Sequence, residues 1–131
     1  MNYRILTDSC ADFPKEMAVQ LDITQAALTL LFREKSIADF TDDGLKEMYR
    51  GLRAGESATT SAVNPEGWKQ ILEPVLASGQ DALILAFSSG LSTTYQSAVI
   101  AAQELKEKYP ERNVIVVDTL CASLGQGLLV W

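Results

Sequence analysis

Histidine is missing altogether from the 131 residues of this chain. That excludes a Ser-His or Cys-His catalytic pair built from this chain alone, because both depend on an imidazole base. Cysteine is scarce: Cys10 and Cys121 are the two present, and their spacing fits no zinc or CxxC pattern. Each follows a strand-like run and a polar turn, which puts both at one edge of a sheet, with no structural disulfide expected in a reducing compartment. Lys and Arg form no cluster, and the net charge is −6. Affinity for phosphate backbones comes mainly from such clusters, so nucleic acid is not an expected partner. The longest apolar run falls well short of a membrane span. Met1-Asn2-Tyr3-Arg4 leads straight into an apolar strand without a signal-peptide layout, and a cytoplasmic location is the expectation. Neither Gly-x-Ser-x-Gly nor Gly-x-x-x-x-Gly-Lys-Ser/Thr occurs, so neither a nucleophile elbow nor a P-loop is supported. Gly125-Gln126-Gly127 is a lone Gly-x-Gly, too weak to count.

What is present has the balance of one globular domain, 47% hydrophobic and 21% charged. Tyr3-Arg4-Ile5-Leu6-Thr7 reads as a first strand and Asp8-Ser9-Cys10-Ala11-Asp12 as a polar turn. Pro14 suits the first turn of a helix carrying Met17, Ala18 and Leu21. Ala26–Phe32 reads as a second buried strand, followed by the charged turn Arg33-Glu34-Lys35-Ser36. A helix is expected from Thr41, with Asp42 and Asp43 at its positive end, Leu45, Met48, Tyr49 and Leu52 as a core stripe, and Gly55 as its stop. Residues 57–65 read as a hydroxyl-rich loop ending in Asn64 and Pro65, the cap and first position of the next helix. Trp68, Ile71, Leu72, Val75 and Leu76 give that helix its apolar face. Pro74 predicts a kink or break near Glu73, with Gly79 as a stop. Ala82–Phe87 is a buried strand, and Tyr95, Ala98, Val99, Ala102 and Leu105 mark an amphipathic helix. Asn113–Val117 is the last strand, after which Ser123–Trp131 begins another helix. Its apolar end, Leu128 to Trp131, needs something to cover it, so a fragment or single-domain piece is the expectation.

Alternating strands and helices predict right-handed crossovers and an α/β fold: a parallel sheet with helices on both faces. Thr7-Asp8-Ser9, Ser88-Ser89 and Asp118-Thr119 then fall at the carboxyl ends of strands, where open α/β sheets bind ligands. Between Ser88 and Thr94, five of seven residues carry hydroxyls, at the start of a helix. Free backbone N–H groups and the helix dipole favour a small anion there, although Ser and Thr also simply cap helices and fill turns. Asp8 and Ser9 either cap or line the crevice. Thr59-Thr60-Ser61 is either a solvated linker or a flap over the rim. Beyond Asp8, Asp12 and Asp118 the rim has no general base, and no Lys or Arg lies within the hydroxyl clusters. Such groups bind; they do not by themselves catalyse.

Assembled, these pieces resemble the DegV family of fatty-acid-binding proteins over nearly the whole chain. Thr7-Asp8-Ser9 with Asp12-Phe13-Pro14 resembles the family's opening motif, and Thr60-Ser61 its Thr-Ser loop. Ser88-Ser89-Gly90-Leu91-Ser92-Thr93-Thr94-Tyr95-Gln96-Ser97-Ala98 is similar to its most recognisable signature. Val117-Asp118-Thr119 with Ser123 and Gly125-Gln126-Gly127 is similar to its Val-Asp-Ser…Ser…Gly segment. The resemblance implies that residues 1–131 are the N-terminal α/β domain of a carrier, not an enzyme, and that a second, lipid-covering domain is absent from this chain. It implies a long-chain fatty acid such as hexadecanoate as ligand, its tail between two domains and its carboxylate presented to a separate fatty-acid kinase that makes the acyl phosphate. It implies Thr60 and Ser92 as the carboxylate's holders, with Asp8, Ser9, Ser61, Ser88, Ser89, Gly90, Thr93 and Thr94 as the supporting rim, and neither cofactor nor metal. Two departures stand out: Thr93 occupies a place where the family usually has Gly, and Ala62-Val63-Asn64-Pro65 stands where it tends to have Gln-Pro-Ser. Two other readings compete. One is a phosphate or sugar-phosphate enzyme on a similar scaffold, with Asp8 or Asp118 as base or metal ligand; the other is a regulatory or purely structural domain.

Overall fold

In the computed structural model, which describes residues 2–33, 35–37 and 42–131, strand β1 (Tyr3–Asp8) lies inside a four-stranded parallel sheet. It runs between β2 (Thr24–Ala26) and β6 (Asp81–Ala86), and β7 (Val114–Asp118) forms the far edge. Leu6 pairs with Ile84, and Ile84 with Val116, so alternate residues of three strands share one face. Helices α3 (Pro65–Ala77) and α4 (Thr94–Lys108) seal that face: Leu6, Ile84, Trp68, Leu72 and Ala98 have no solvent exposure. Each such Leu or Ile contributes about 1.5–3 kcal/mol by leaving water. On the other face, α5 (Ser123–Val130) covers the carboxyl end of the sheet, and Ile115 is left 60% exposed.

The sheet differs from the expected one between residues 26 and 61. The apolar run Ala26–Phe32 is not one strand. The chain leaves the parallel sheet after Ala26 and re-forms β3 (Thr29–Phe32) in a second, antiparallel sheet with β4 (Lys35–Ile37) and β5 (Ala58–Ser61). Leu28 between them donates its N–H to Ser9 Oγ at 3.0 Å, which replaces a ladder bond where the chain turns away. β5 lies in the stretch read as a loop, and Thr60 pairs with Leu30; Thr has high strand propensity once a partner edge is available. Leu30, Phe32 and Met48 form this sheet's own small core under α2 (Asp42–Arg53), with Leu45 packed against it. Tyr49 and Leu52, expected in that core, are exposed, because the small sheet covers only a narrow stripe of the helix. The helix start expected at Thr41 lies outside the described residues.

Pro14 sits immediately before α1 (Lys15–Gln20). Pro74 does not break α3, which continues to Ala77. The proline removes only the bond to the Gln70 carbonyl, on the exposed side, while Leu72 and Leu76 around it are buried. Gly79 ends that segment at φ +83° and Gly55 follows α2 at φ +88°, left-handed positions that favour glycine.

Candidate functional site

After Ala86 the chain leaves β6 through Phe87 and builds a short, fully stapled loop. Ser88 N–H donates to the Cys121 carbonyl at 3.1 Å, and Ser88 Oγ accepts from Gly90 N–H at 3.2 Å. Leu91 and Ser92 both return their N–H groups to the Ser88 carbonyl. Ser89 N–H donates to Asp118 Oδ1 at 3.1 Å, tying the loop to the end of β7. α4 then begins at Thr94, whose N–H donates to Ser92 Oγ at 3.1 Å. The Thr94 carbonyl accepts the buried Trp68 indole N–H at 3.1 Å, which fixes the helix start against α3.

Over this loop opens a cavity of about 630 Å³. Thr60, Ser89, Ser92 and Thr93 supply its hydroxyls; Leu28, Phe87 and Leu91 supply apolar wall, with Cys10, Ala62 and Gln96 completing it. Thr60 and Ser92 therefore come to one groove from different sheets. The Thr60 and Thr93 hydroxyls make no hydrogen bond among the described residues and are exposed, so both have donors to spare. Cys10 is the one titratable side chain lining the groove among the described residues. Burial first, then the charges of Asp8 and Asp12, push its thiol up to about 12, so it is a neutral wall and not a thiolate.

Six residues expected on the rim do not line the groove. Asp8 has no exposure: its carboxylate accepts Phe87 N–H at 2.7 Å, Cys10 N–H at 3.0 Å and Gln126 Nε2 at 3.2 Å. It is both a cap and a buried buckle, not an accessible base, and burial raises its pKa above the ordinary value. Ser9 is used on Leu28 N–H and Ser88 on Gly90 N–H. Ser61 is the next residue along β5 from Thr60, so its side chain faces the opposite side of the small sheet. Gly90 is exposed on the loop, and Thr94 is fully buried beneath Ser92. Asp118 does not line the groove either; Ser89, through its hydroxyl and N–H, and the Leu120 N–H hold it below the ordinary carboxylate range.

Gln126 is the residue that sequence reasoning missed. It is fully buried, and its Nε2 donates to Thr7 Oγ1 at 3.0 Å, to Asp8 Oδ1 and to the Leu85 carbonyl. The signal was the pair of glycines around it. A Cβ at Gly127 would lie 2.7 Å from the Ala11 carbonyl oxygen, so α5 needs that glycine to approach close enough for Gln126 to reach Asp8.

The class the fold defines is a parallel α/β scaffold whose carboxyl edge opens into a hydroxyl-bearing, partly apolar groove, the edge at which open α/β sheets bind ligands. Residues 2–131 match the model of the family described as "Uncharacterised protein, DegV family", and the chain belongs to that family. It is 44% identical over 129 residues to a DegV domain-containing protein of Clostridium perfringens, covering 97% of this chain and 44% of that protein. Its fold matches a fatty-acid-binding DegV family protein from Thermus thermophilus at a TM-score of 0.86 and 34% identity, over 99% of this chain and 45% of that one. A fatty acid binding protein from Bacillus subtilis, DegV, matches at a TM-score of 0.82 and 27% identity, over 99% and 45% of the two chains. The chain thus spans a little under half the length of the relatives it matches. Among the described residues no helix is long and apolar enough to cross a membrane, and no group of three or more acidic, His or Cys side chains is placed to hold a metal ion.

Proposed function

We propose that the groove holds the carboxylate of a long-chain fatty acid such as hexadecanoate, with Thr60 and Ser92 as the hydroxyl donors. The observation that carries this reading is the meeting of those two side chains in one cavity with apolar walls beside them. Each charge-assisted hydrogen bond is worth about 1.5–3 kcal/mol, whereas a buried acyl chain gains about 0.8 kcal/mol per CH₂. The tail therefore supplies affinity and the hydroxyls supply orientation. A second domain, beyond the residues present here, is proposed to cover the tail. The 67% exposure of Leu91, on the groove, supports that arrangement, because this chain alone does not enclose the ligand. Residues 1–131 alone are then expected to keep the head-group site and hold lipid weakly.

The same reading makes the protein a cytoplasmic carrier that hands the carboxylate to a separate fatty-acid kinase. A groove whose one ionisable lining side chain among the described residues is a thiol held neutral supports carriage over catalysis. The phosphate-enzyme reading calls for Lys, Arg or a metal beside the hydroxyls, and among the described residues none that lines the groove is cationic. Native mass spectrometry of the full-length protein tests the proposal: a co-purifying fatty acid is expected, retained far more strongly than by residues 1–131. Full-length protein that never carries a fatty acid, or that prefers inorganic phosphate, overturns it. Turnover of hexadecanoate and ATP by an added fatty-acid kinase, faster with the carrier than without, tests the hand-over.

A further inference from the structure

Thr94 is not among the residues that line the groove and has no solvent exposure, yet its hydroxyl makes no hydrogen bond to the backbone among the described residues. Among the described residues the one partner of Thr94 Oγ1 is Ser92 Oγ, at 2.8 Å. Ser92 Oγ also accepts the Thr94 N–H at 3.1 Å. A hydroxyl oxygen has two lone pairs and one proton, so the N–H takes one lone pair and leaves the contact between the two hydroxyls with two arrangements. In one, Ser92 spends its proton on Thr94 and shows the groove no donor. In the other, Thr94 donates to Ser92, both lone pairs of Ser92 are filled, and its proton has no place to go but the groove. An anion in the groove selects the second arrangement, because only that one offers it a donor. Thr94 is held rigidly for this task, its carbonyl pinned by the Trp68 indole N–H.

We infer that Thr94 is a positioning residue for the carboxylate site: its hydroxyl donates to Ser92 Oγ and so aims the Ser92 proton at an acceptor-only, anionic head group. This deepens the fatty-acid reading and rests on it. The consequence is selectivity for acid over alcohol: the Ser92 proton makes a charge-assisted bond to a carboxylate, about twice as strong as the neutral one to an alcohol oxygen, and the filled lone pairs of Ser92 offer the alcohol's own proton no acceptor.

The test is displacement of a fluorescent long-chain acid from the full-length protein by hexadecanoate and by hexadecanol, with melting temperature alongside. In Thr94→Val the Ser92 proton is no longer aimed and Ser92 Oγ regains a lone pair that can accept from an alcohol. The affinity for hexadecanoate is therefore expected to fall and that for hexadecanol to hold or rise, lowering the acid-to-alcohol ratio about threefold or more, with little change in melting temperature. Thr94→Ser restores the hydroxyl and loses a buried methyl, so it lowers the melting temperature and keeps the acid-to-alcohol ratio. With Ser92→Ala in the background, Thr94→Val has no further effect on the acid. Should the valine variant not fold, Thr94→Ala against Thr94→Ser makes the same comparison. An unchanged ratio in the hydroxyl-free variant, or a serine variant as impaired as the valine one, overturns the inference alone. An unmodified protein that binds neither probe overturns the fatty-acid reading and the inference with it.

Discussion

Two polar clusters lie at the carboxyl edge of the parallel sheet and are built from similar kinds of residue, the second drawing Thr60 from the antiparallel sheet. Around Asp8, a carboxylate, a threonine and a glutamine are sealed from water and occupied with one another and with backbone groups, Gln126 Oε1 being the one side-chain atom of the cluster without a partner among the described residues. Around Ser92, hydroxyls face a groove, and two of them, Thr60 and Thr93, are bonded to nothing in the described protein. The first cluster fixes where the strand ends lie; the second is left free to be completed by a ligand. Burial decides the division: a desolvated polar group must be satisfied internally, at a cost of about 1–3 kcal/mol for each one left unpaired, whereas an exposed hydroxyl is satisfied by water until something better arrives.

Three substitutions break or sharpen that contrast, the strongest first. Asp8→Ala orphans the Phe87 and Cys10 N–H groups and takes one of three acceptors from the Gln126 amide, and should cost about 3 kcal/mol or more in chemical denaturation. Gly127→Ala forces the new Cβ against the Ala11 carbonyl, and a loss of about 1–3 kcal/mol is expected from thermal melting. Thr60→Ala, at the open cluster, should leave stability within about 0.5 kcal/mol and weaken hexadecanoate binding by about tenfold or more, as calorimetry of the full-length protein would show. A Thr60→Ala variant that unfolds but still binds would reverse the roles assigned to the two clusters.

The smallest effect separates two acids at strand ends, Asp8 and Asp118, by sign. Burial raises the Asp8 pKa, so its contribution to stability is fully present below the ordinary value of 3.8 and is lost as pH rises through its folded value. Hydrogen bonds from Ser89 and Leu120 lower that of Asp118, so its contribution is present above 3.8 and is lost as pH falls through its folded value. Stability measured from pH 3 to 7 for the unmodified protein minus Asp118→Asn should therefore rise with pH, and for the unmodified protein minus Asp8→Asn should fall. Two slopes of the same sign would mean that the environments of the two carboxylates do not differ as described.

The long-period features of this fold were legible in the sequence. Helices α3 and α4 and the strands around Leu6, Ile84 and Val116 follow from apolar spacing alone, because one sealed face imposes a regular pattern. The break at Ala27 was not legible: an apolar run without Gly or Pro carries no mark of the point where it changes sheets. Nor was β5, since Thr59-Thr60-Ser61 becomes a strand only when β3 offers an edge. At the groove, Thr60 and Ser92, singled out by their motifs, line one cavity together with Ser89 and Thr93. Asp8 was visible as a residue but its burial was not, because that depends on Gln126 arriving from the far end of the chain.

The groove has one wall on each of two sheets: Thr60 is a ladder residue of the antiparallel one, and Ser92 precedes the helix packed on the parallel one. On the proposed reading, a head group held by both would act as a removable cross-link between two packing units, and loading or release of a single acid would then stiffen or loosen the smaller unit against the larger.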